Sequence, residues 1–184
     1  PSSAASDVYK RQFKNYTRPF AIGELIDCDV LGTVVASRSP DLVEGARVMG
    51  RLGWQEWAVA HPNQLERVPD DIDDESALTT LSSPGLTAYT ALDLFGRPSP
   101  GQTIAVTSAA GAVGAFAVQL ARIGGMRVIG VAGGAQKCAL VTERLGAAAC
   151  LDYRADDFGE ALSRAAPAGI HLVFDTVGGP VADR

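Results

Sequence analysis

The fold follows from residues 103–124, whose sequence is TIAVTSAAGAVGAFAVQLARIG. Residues 103–108 are mostly apolar and prone to form a strand, whereas beyond the glycines the apolar side chains recur at helical spacing; these are Val113, Phe116, Ala117, Leu120 and Ile123. The stretch therefore predicts a strand, a tight glycine turn and a helix. Such a turn lets the backbone approach a phosphate, and the helix beyond it presents unpaired N–H groups and the positive end of its dipole. A pyrophosphate suits this turn.

The two glycines alone are a weak signal for nucleotide binding. Gly111 and Gly114 are separated by two residues, but the first glycine of the G-x-G-x-x-G fingerprint is missing. A plain structural turn is therefore an alternative interpretation. The β-prone run at residues 127–131, RVIGV, follows the helix and completes the βαβ unit in which dinucleotide sites are built. This context favours a dinucleotide site.

The end of the second strand indicates which dinucleotide is bound. An NAD site places an acidic residue about 20 residues after the glycines to bond the ribose 2′-hydroxyl, whereas an NADP site omits the acid and supplies a cation. Residues 132–137 read AGGAQK, with no acid and one lysine, Lys137. NADPH is therefore favoured. The alternative for Lys137 is an ordinary solvated lysine in the first turn of a helix, a place where the helix dipole disfavours cations.

Composition excludes several classes of function. The formal net charge of −5 argues against nucleic acid or an anionic membrane surface as the main partner, because either would need a basic field. The three cysteines are far apart and form no C-x-x-C pair, so we expect neither a disulfide framework nor a structural zinc site. We expect no membrane helix and a cytoplasmic protein.

The amino-terminal part divides into a leader and a β-rich domain. Residues 1–12 lack an amphipathic period and the apolar core of a signal peptide, and we interpret them as a non-native leader. Residues 13–75 carry strand patterns at 31–36, 46–50 and 57–60 with turn residues between them, which predicts part of a small barrel-like β domain. The acidic run at 70–75 favours the start of a helix reaching about residue 81.

Residues 76–184 continue as an α/β domain. We predict helices at about 84–96, 135–145 and 156–165, and strands at 148–151 and 170–175, in addition to the elements described above. The resulting order β-α-β-α-β-α-β folds into a doubly wound parallel sheet with right-handed crossovers. We expect this Rossmann sheet to be truncated after its fourth strand, two short of the usual six.

Several short motifs together resemble one enzyme family. They are GE at 23–24, LGWQEWA at 52–58, PGLTAY at 84–89, AAGAVG at 109–114, AGG at 132–134 followed by Lys137 and Cys138, LDY at 151–153 and VGG at 177–179. The chain resembles the zinc-independent medium-chain dehydrogenase/reductases, and within them the group of prostaglandin reductases, leukotriene dehydrogenases and 2-alkenal reductases. The resemblance implies a GroES-like substrate domain before a Rossmann domain. It also implies NADPH-dependent reduction of the carbon–carbon double bond of α,β-unsaturated aldehydes and ketones, commonly by a homodimer.

The resemblance also implies roles for particular residues. The pyrophosphate would lie on the turn formed by Gly111, Ala112, Val113 and Gly114. Lys137 would contact the 2′-phosphate and Tyr153 the adenosine-ribose phosphate region. Thr176 stands where many members carry an asparagine facing the nicotinamide, and it offers one hydroxyl in place of an amide. The alternative for Tyr153 is a tyrosine that packs after a strand, and the alternative for Thr176 is an ordinary β-branched residue at a strand end.

The same resemblance argues against zinc. Zinc-dependent relatives carry Gly-His-Glu before a Gly-x-Val strand, whereas this chain has Asp27, Cys28 and Asp29 there. We interpret the two histidines, His61 and His171, as structural, because neither has a serine or cysteine partner recognisable by spacing.

Conjugate reduction needs little acid–base machinery. Hydride from NADPH would reach the β-carbon of an enone, and a donor would stabilise the enolate oxygen before the α-carbon takes a proton. The resemblance makes Tyr16 a candidate donor, a surface tyrosine being the alternative. Two other functions stay open: an NADPH quinone reductase of the same superfamily, and a truncated non-catalytic nucleotide-binding fragment.

Overall fold

The computed structural model describes residues 20–179. The predicted leader, residues 1–12, and the candidate donor Tyr16 lie outside the described residues. The chain divides between Leu78 and Thr79 into two compact units. No helix within residues 20–179 combines the length and the apolar character that crossing a bilayer requires.

The first unit contains a small antiparallel sheet. Its strands are β1 (Val30–Thr33), β2 (Arg47–Gly50) and β3 (Glu66–Arg67), with β2 between the other two. Helix α1 (Asp74–Thr79) follows, and the backbone N–H of Ser76 donates to the Asp73 carboxylate at its start, 2.8 Å away. The predicted acidic helix start is confirmed.

One predicted strand of this unit is wrong. Residues 57–60 form no strand, and the turn that follows them is a short 3-10 turn, Pro62–Gln64. Strand propensity is local, whereas a strand needs a hydrogen-bonding partner. Residues 57–60 pair with none of the three strands of this sheet, whose order is β1-β2-β3.

The second unit is a parallel sheet with helices between its strands. Helix α2 (Ser83–Thr90) leads into this sheet and continues directly as a π-helical turn, Ala91–Gly96. The remaining elements, in chain order, are β4 (Thr103–Val106), α3 (Ala112–Ile123), β5 (Arg127–Ala132), α4 (Ala135–Ala139) with a π-helical turn over Leu140–Arg144, β6 (Ala149–Asp152), α5 (Phe158–Ala165) and β7 (Leu172–Phe174). All pairings are parallel, in the order β6-β5-β4-β7.

This topology confirms the predicted Rossmann arrangement. The chain proceeds outward from β4 through β5 to β6 and then returns to the other side of β4 as β7. The four residues of β4 are all buried, as expected for a strand covered on both faces. In such sheets ligands bind beyond the carboxyl ends of the strands, at the point where the strand order reverses. Here that point lies between β4 and β7.

Helix α3 packs on the sheet through a face rotated from the predicted one. Its buried residues are small, Gly114, Ala117, Val118 and Ala121, whereas Ile123 of the predicted apolar stripe is 75% exposed. Small side chains let the helix backbone come close to the sheet. The larger side chains, Val113, Phe116 and Leu120, are partly buried and pack at the margin of the core.

Candidate functional site

A cleft of about 290 Å³ opens beyond the carboxyl ends of the parallel strands. Residues that follow four strands, β4, β5, β6 and β7, contribute to its wall; the lining consists of Thr107, Ser108, Ala110, Gly111, Val131, Ala132, Gly133, Lys137, Tyr153, Arg154 and Val177. The cleft lies where the topology predicts a ligand site. Two of these side chains are cationic and none is acidic.

The turn after β4 is tight because of Ser108. Its φ angle is +48°, in the left-handed region that non-glycine residues seldom adopt. A Cβ on Gly111 would lie 2.6 Å from the Ser108 hydroxyl oxygen, and a Cβ on Gly114 would overlap the Ser108 carbonyl oxygen. Both glycines have room for no side chain, and their φ angles are not positive. The structure therefore requires them for close packing of the turn and helix α3 against each other.

The predicted pyrophosphate residues have different positions. Gly111 lines the cleft and is the N-cap of α3, whereas Ala112, Val113 and Gly114 form the first turn of that helix. The first N–H groups of a helix have no partner within the helix, so they are available to an anion. The amino-terminal end of the 12-residue helix α3 is thus beside the cleft.

A cationic end of the cleft is formed by Lys137 and Arg154. Lys137 belongs to α4, which begins just beyond β5, and Arg154 follows β6. The guanidinium carbon of Arg154 lies 5.4 Å from the centre of the Tyr153 ring, and its Nε lies 3.3 Å from the Tyr153 hydroxyl. The arginine is therefore held by a cation–π contact and a hydrogen bond.

Gly133 leaves the space that this pair occupies. A Cβ on Gly133 would lie 3.0 Å from Tyr153 Cε1 and 3.1 Å from Arg154 Nη2. The sequence reasoning missed Arg154. The signal that could have revealed it is its place in the sequence: a basic residue directly after Tyr153, just beyond the end of a predicted parallel strand.

The opposite side of the cleft is held by a hydrogen-bond network between β4 and β7. The Thr107 hydroxyl donates to Asp175 Oδ1 and accepts from the Thr176 N–H at 3.1 Å. The Asp175 carboxylate also accepts from the N–H groups of Val177 and Gly178, each at 3.0 Å. These bonds, first the one from Thr107, hold the pKa of Asp175 below its ordinary value.

This network positions the segment that carries Thr176. Val177 lines the cleft, and Thr176 lies beside it without itself belonging to the lining. The structure thus brings Gly111, Lys137 and Tyr153 to one cleft and places Thr176 next to it. The pairing of Thr107 with Asp175 was missed, because nothing in the local pattern links residues 68 positions apart.

Two sequence families match this chain. One, described as "Zinc-binding dehydrogenase", matches residues 112–184, and the other, described as "N-terminal domain of oxidoreductase", matches residues 5–68. The NADPH-dependent curcumin reductase of Escherichia coli is 41% identical over 92% of this chain and 49% of the relative. An NADP(+)-dependent 2-alkenal reductase of Nicotiana tabacum is 33% identical over 92% of this chain and 50% of the relative.

A solved structure extends the similarity to three dimensions. The crystal structure of CurA from Vibrio vulnificus in complex with NADPH matches with a TM-score of 0.82 and 35% identity, covering 92% of this chain and 51% of CurA. The chain is thus similar to the zinc-independent medium-chain dehydrogenase/reductases. It spans about half the length of the curated relatives it matches. The family has a GroES-like domain before the Rossmann domain, as expected from the sequence.

The chain has an ion pair where the zinc-dependent dehydrogenases carry the Gly-His-Glu motif. Arg51 donates from Nε to both carboxylate oxygens of Asp27, at 2.8 and 2.9 Å. These hydrogen bonds lower the pKa of Asp27. Among residues 20–179, no group of three or more His, Cys, Asp and Glu side chains is arranged to hold a metal ion.

Both histidines have structural partners. His171 Nδ1 accepts a hydrogen bond of 3.1 Å from the Thr103 N–H, at the start of β4 and so at the end of the sheet opposite the cleft. His61 caps the turn Pro62–Gln64 by accepting from the Asn63 N–H. Both observations agree with the structural interpretation of these residues.

Proposed function

We propose that the protein containing this chain reduces the carbon–carbon double bond of α,β-unsaturated aldehydes or ketones with NADPH. In this proposal residues 13–75 belong to the substrate domain and residues 76–184 to the cofactor domain. The observation that carries the proposal is the cationic end of the cleft, where Lys137 and Arg154 stand and no acidic side chain contributes to the lining. An acid there would repel a 2′-phosphate, and two cations attract it.

The residues that line the cleft fit the phosphates of this cofactor. Gly111 and the amino-terminal end of α3 would hold the pyrophosphate, because unpaired N–H groups and the helix dipole favour an anion. Lys137 and Arg154 would hold the 2′-phosphate, Lys137 as a point charge and Arg154 as a planar fork of donors. The cradle at Gly133, which a Cβ would fill, leaves the Tyr153 ring and Arg154 room to face the adenosine end.

Two further residues have proposed roles at the reacting end. The bound nicotinamide supplies a hydride. Thr176 would border it, held in place by the bond from its N–H to the Thr107 hydroxyl. Reduction of an enone places negative charge on the carbonyl oxygen, and a hydrogen-bond donor there lowers the barrier. We propose Tyr16 as that donor and a homodimer as the state of the full-length protein.

The test uses the full-length protein. Fluorescence titrations with NADPH and NADH should show clear preference for NADPH, and steady-state assays should show turnover of a 2-alkenal and of a cyclic or aryl enone. Turnover of quinones with no turnover of several enones would instead identify a quinone reductase. Tight NADPH binding without turnover of either class would identify a non-catalytic nucleotide-binding protein, and equal affinity for both coenzymes would contradict the assignment of the cationic end.

A further inference from the structure

Two cysteines lie side by side on the elements that carry Lys137 and lead to Arg154. Cys138 belongs to α4 and Cys150 to β6, and their Sγ atoms are 3.0 Å apart although 12 positions separate them in the sequence. Both are free thiols of intermediate exposure. A disulfide bond has its sulfur atoms about 2.05 Å apart, so an approach of about 1 Å would close it.

The surroundings hold both thiols in this position. Gly130 on the neighbouring strand β5 has no side chain, and a Cβ there would lie 3.4 Å from Cys150 Sγ. The Thr142 hydroxyl donates to the Cys138 carbonyl at 3.0 Å and so ties the end of α4 to the π-helical turn that follows it. The two sulfurs therefore meet from a helix and a strand that are packed together, which is the preorganisation a disulfide needs.

The two thiols differ in their chemical environment. Burial raises the pKa of Cys150, and the hydrogen bond to Cys138 raises it further. Cys150 is thus the thiol that stays protonated and donates its S–H, and Cys138 is the sulfur that accepts it. Because the thiolate is the reactive form of cysteine, the raised pKa of Cys150 disfavours that thiol as the first to react.

We propose that Cys138 and Cys150 form a reversible intramolecular disulfide on exposure to a peroxide. The Cys138 thiolate attacks one oxygen of hydrogen peroxide, the O–O bond breaks, and the released hydroxide takes up a proton to give water and a sulfenic acid on Cys138. The sulfur of Cys150 then attacks the Cys138 sulfur, and the departing hydroxide takes the Cys150 proton to form a second water. Two thiols lose two electrons and one peroxide gains them.

The cross-link would join two segments that line the cleft. Cys138 follows Lys137 directly, and the strand of Cys150 leads to Tyr153 and Arg154. Neither cysteine itself lines the cleft, so the bond forms between residues outside its wall. The proposal therefore stands or falls independently of the proposed reaction, and its test needs no substrate.

The test is peptide mapping of the reduced full-length protein after treatment with hydrogen peroxide. We expect one peptide pair linked through Cys138 and Cys150, a mass lower by two hydrogen atoms, equal loss of both thiols, and recovery of both with dithiothreitol. The midpoint of thermal unfolding should rise in the oxidised protein, because a cross-link constrains the unfolded chain.

Variants separate the proposed pair from other thiols. Cys138→Ser and Cys150→Ser should each abolish the linked peptide, and Cys28→Ser, in the first unit, should leave it unchanged. The proposal is overturned if Cys138 is oxidised to a sulfinic acid while Cys150 keeps its thiol, if the cysteines link only between chains, or if neither reacts. Should a variant fail to fold, the map of the unmodified protein decides alone.

Discussion

The Thr107 hydroxyl donates a hydrogen bond of 2.5 Å to the Asp175 carboxylate, and this bond joins the carboxyl ends of β4 and β7. Each residue is the first after its strand, and between these two strands the order of the sheet reverses. The same carboxylate accepts from the N–H groups of Val177 and Gly178. One side-chain pair therefore shapes the segment that borders the cleft.

Replacing Thr107 by valine should destabilise the protein with little change in side-chain shape. Thr107 is buried, and its hydroxyl both donates to Asp175 and accepts from the Thr176 N–H. We expect Thr107→Val to lower the free energy of unfolding by about 1–2 kcal/mol, the usual cost of lost hydrogen bonds at a partly buried site. Urea denaturation measures this. Thr107→Ser keeps the hydroxyl and loses only the methyl group, so it is the matched control and should lose less stability; a Thr107→Val variant as stable as the unmodified protein would contradict the contribution assigned to the hydroxyl.

The stabilisation from Asp175 should depend on pH. Its pKa is lowered in the folded protein from an ordinary value of 3.8, so the unfolded chain binds the proton more readily. The contribution is therefore fully present above pH 3.8 and is lost as the pH falls through the lower, folded-state pKa. We expect the difference in unfolding midpoint between the unmodified protein and Asp175→Asn to be largest at neutral pH. This difference in midpoint should become smaller as the pH falls into the acid range. A difference that stays constant with pH would contradict the stabilising role assigned to the Asp175 carboxylate.

Lys137→Ala should weaken binding of NADPH selectively. A hydrogen bond to a charged group contributes about 1.5–3 kcal/mol, so the Kd for NADPH should rise about 10- to 100-fold. The Kd for NADH should stay nearly unchanged, because NADH lacks the 2′-phosphate. Isothermal titration of both coenzymes tests this, and Lys137→Arg, which retains the positive charge, should recover most of the affinity. An equal loss for both coenzymes would place Lys137 elsewhere on the cofactor.

Arg154→Ala should also reduce the preference for NADPH over NADH, by a smaller amount than Lys137→Ala. Arg154 is exposed and its guanidinium contacts Tyr153, so we expect about a 3- to 30-fold rise in the Kd for NADPH, consistent with a partly solvated charge-assisted contact. Tyr153→Phe removes the hydrogen bond to Arg154 but keeps the ring, and its Kd for NADPH should lie between that of the unmodified protein and that of Arg154→Ala. In a double-mutant cycle the losses of Lys137→Ala and Arg154→Ala should not add, because both cations would contact one phosphate. If the two losses in binding free energy added strictly, Lys137 and Arg154 would not contact the same phosphate.

Gly114→Ala should be severely destabilising, whereas the same change in another helix should not. A Cβ on Gly114 would overlap the Ser108 carbonyl oxygen, and backbone must move to make room, at a cost of about 2–4 kcal/mol. Gly159 in α5 has no atom within 4 Å of the place a Cβ would occupy. Gly159→Ala is therefore the matched control and should stabilise by about 0.5–1 kcal/mol. Thermal unfolding of both variants tests this, and a tolerated Gly114→Ala would contradict the packing described for α3.

The order of elements and the character of the cleft were available from the sequence. The continuous apolar run at residues 103–106 and the change to helical spacing after Gly114 are local patterns, and a local pattern suffices to predict a βαβ unit. The absence of an acid at residues 132–137 likewise predicted a cationic site for the 2′-phosphate. These features depend on residues close together in the chain.

Other features were decided by the tertiary structure. Residues 57–60 have the propensity for a strand but pair with none of the described strands. Which face of α3 is buried depended on how closely its small residues approach the sheet. The bond between Thr107 and Asp175 and the approach of Cys138 to Cys150 join residues on different elements. Such contacts are set by strand order and helix packing, which bring together side chains whose separation in the sequence carries no periodic signal.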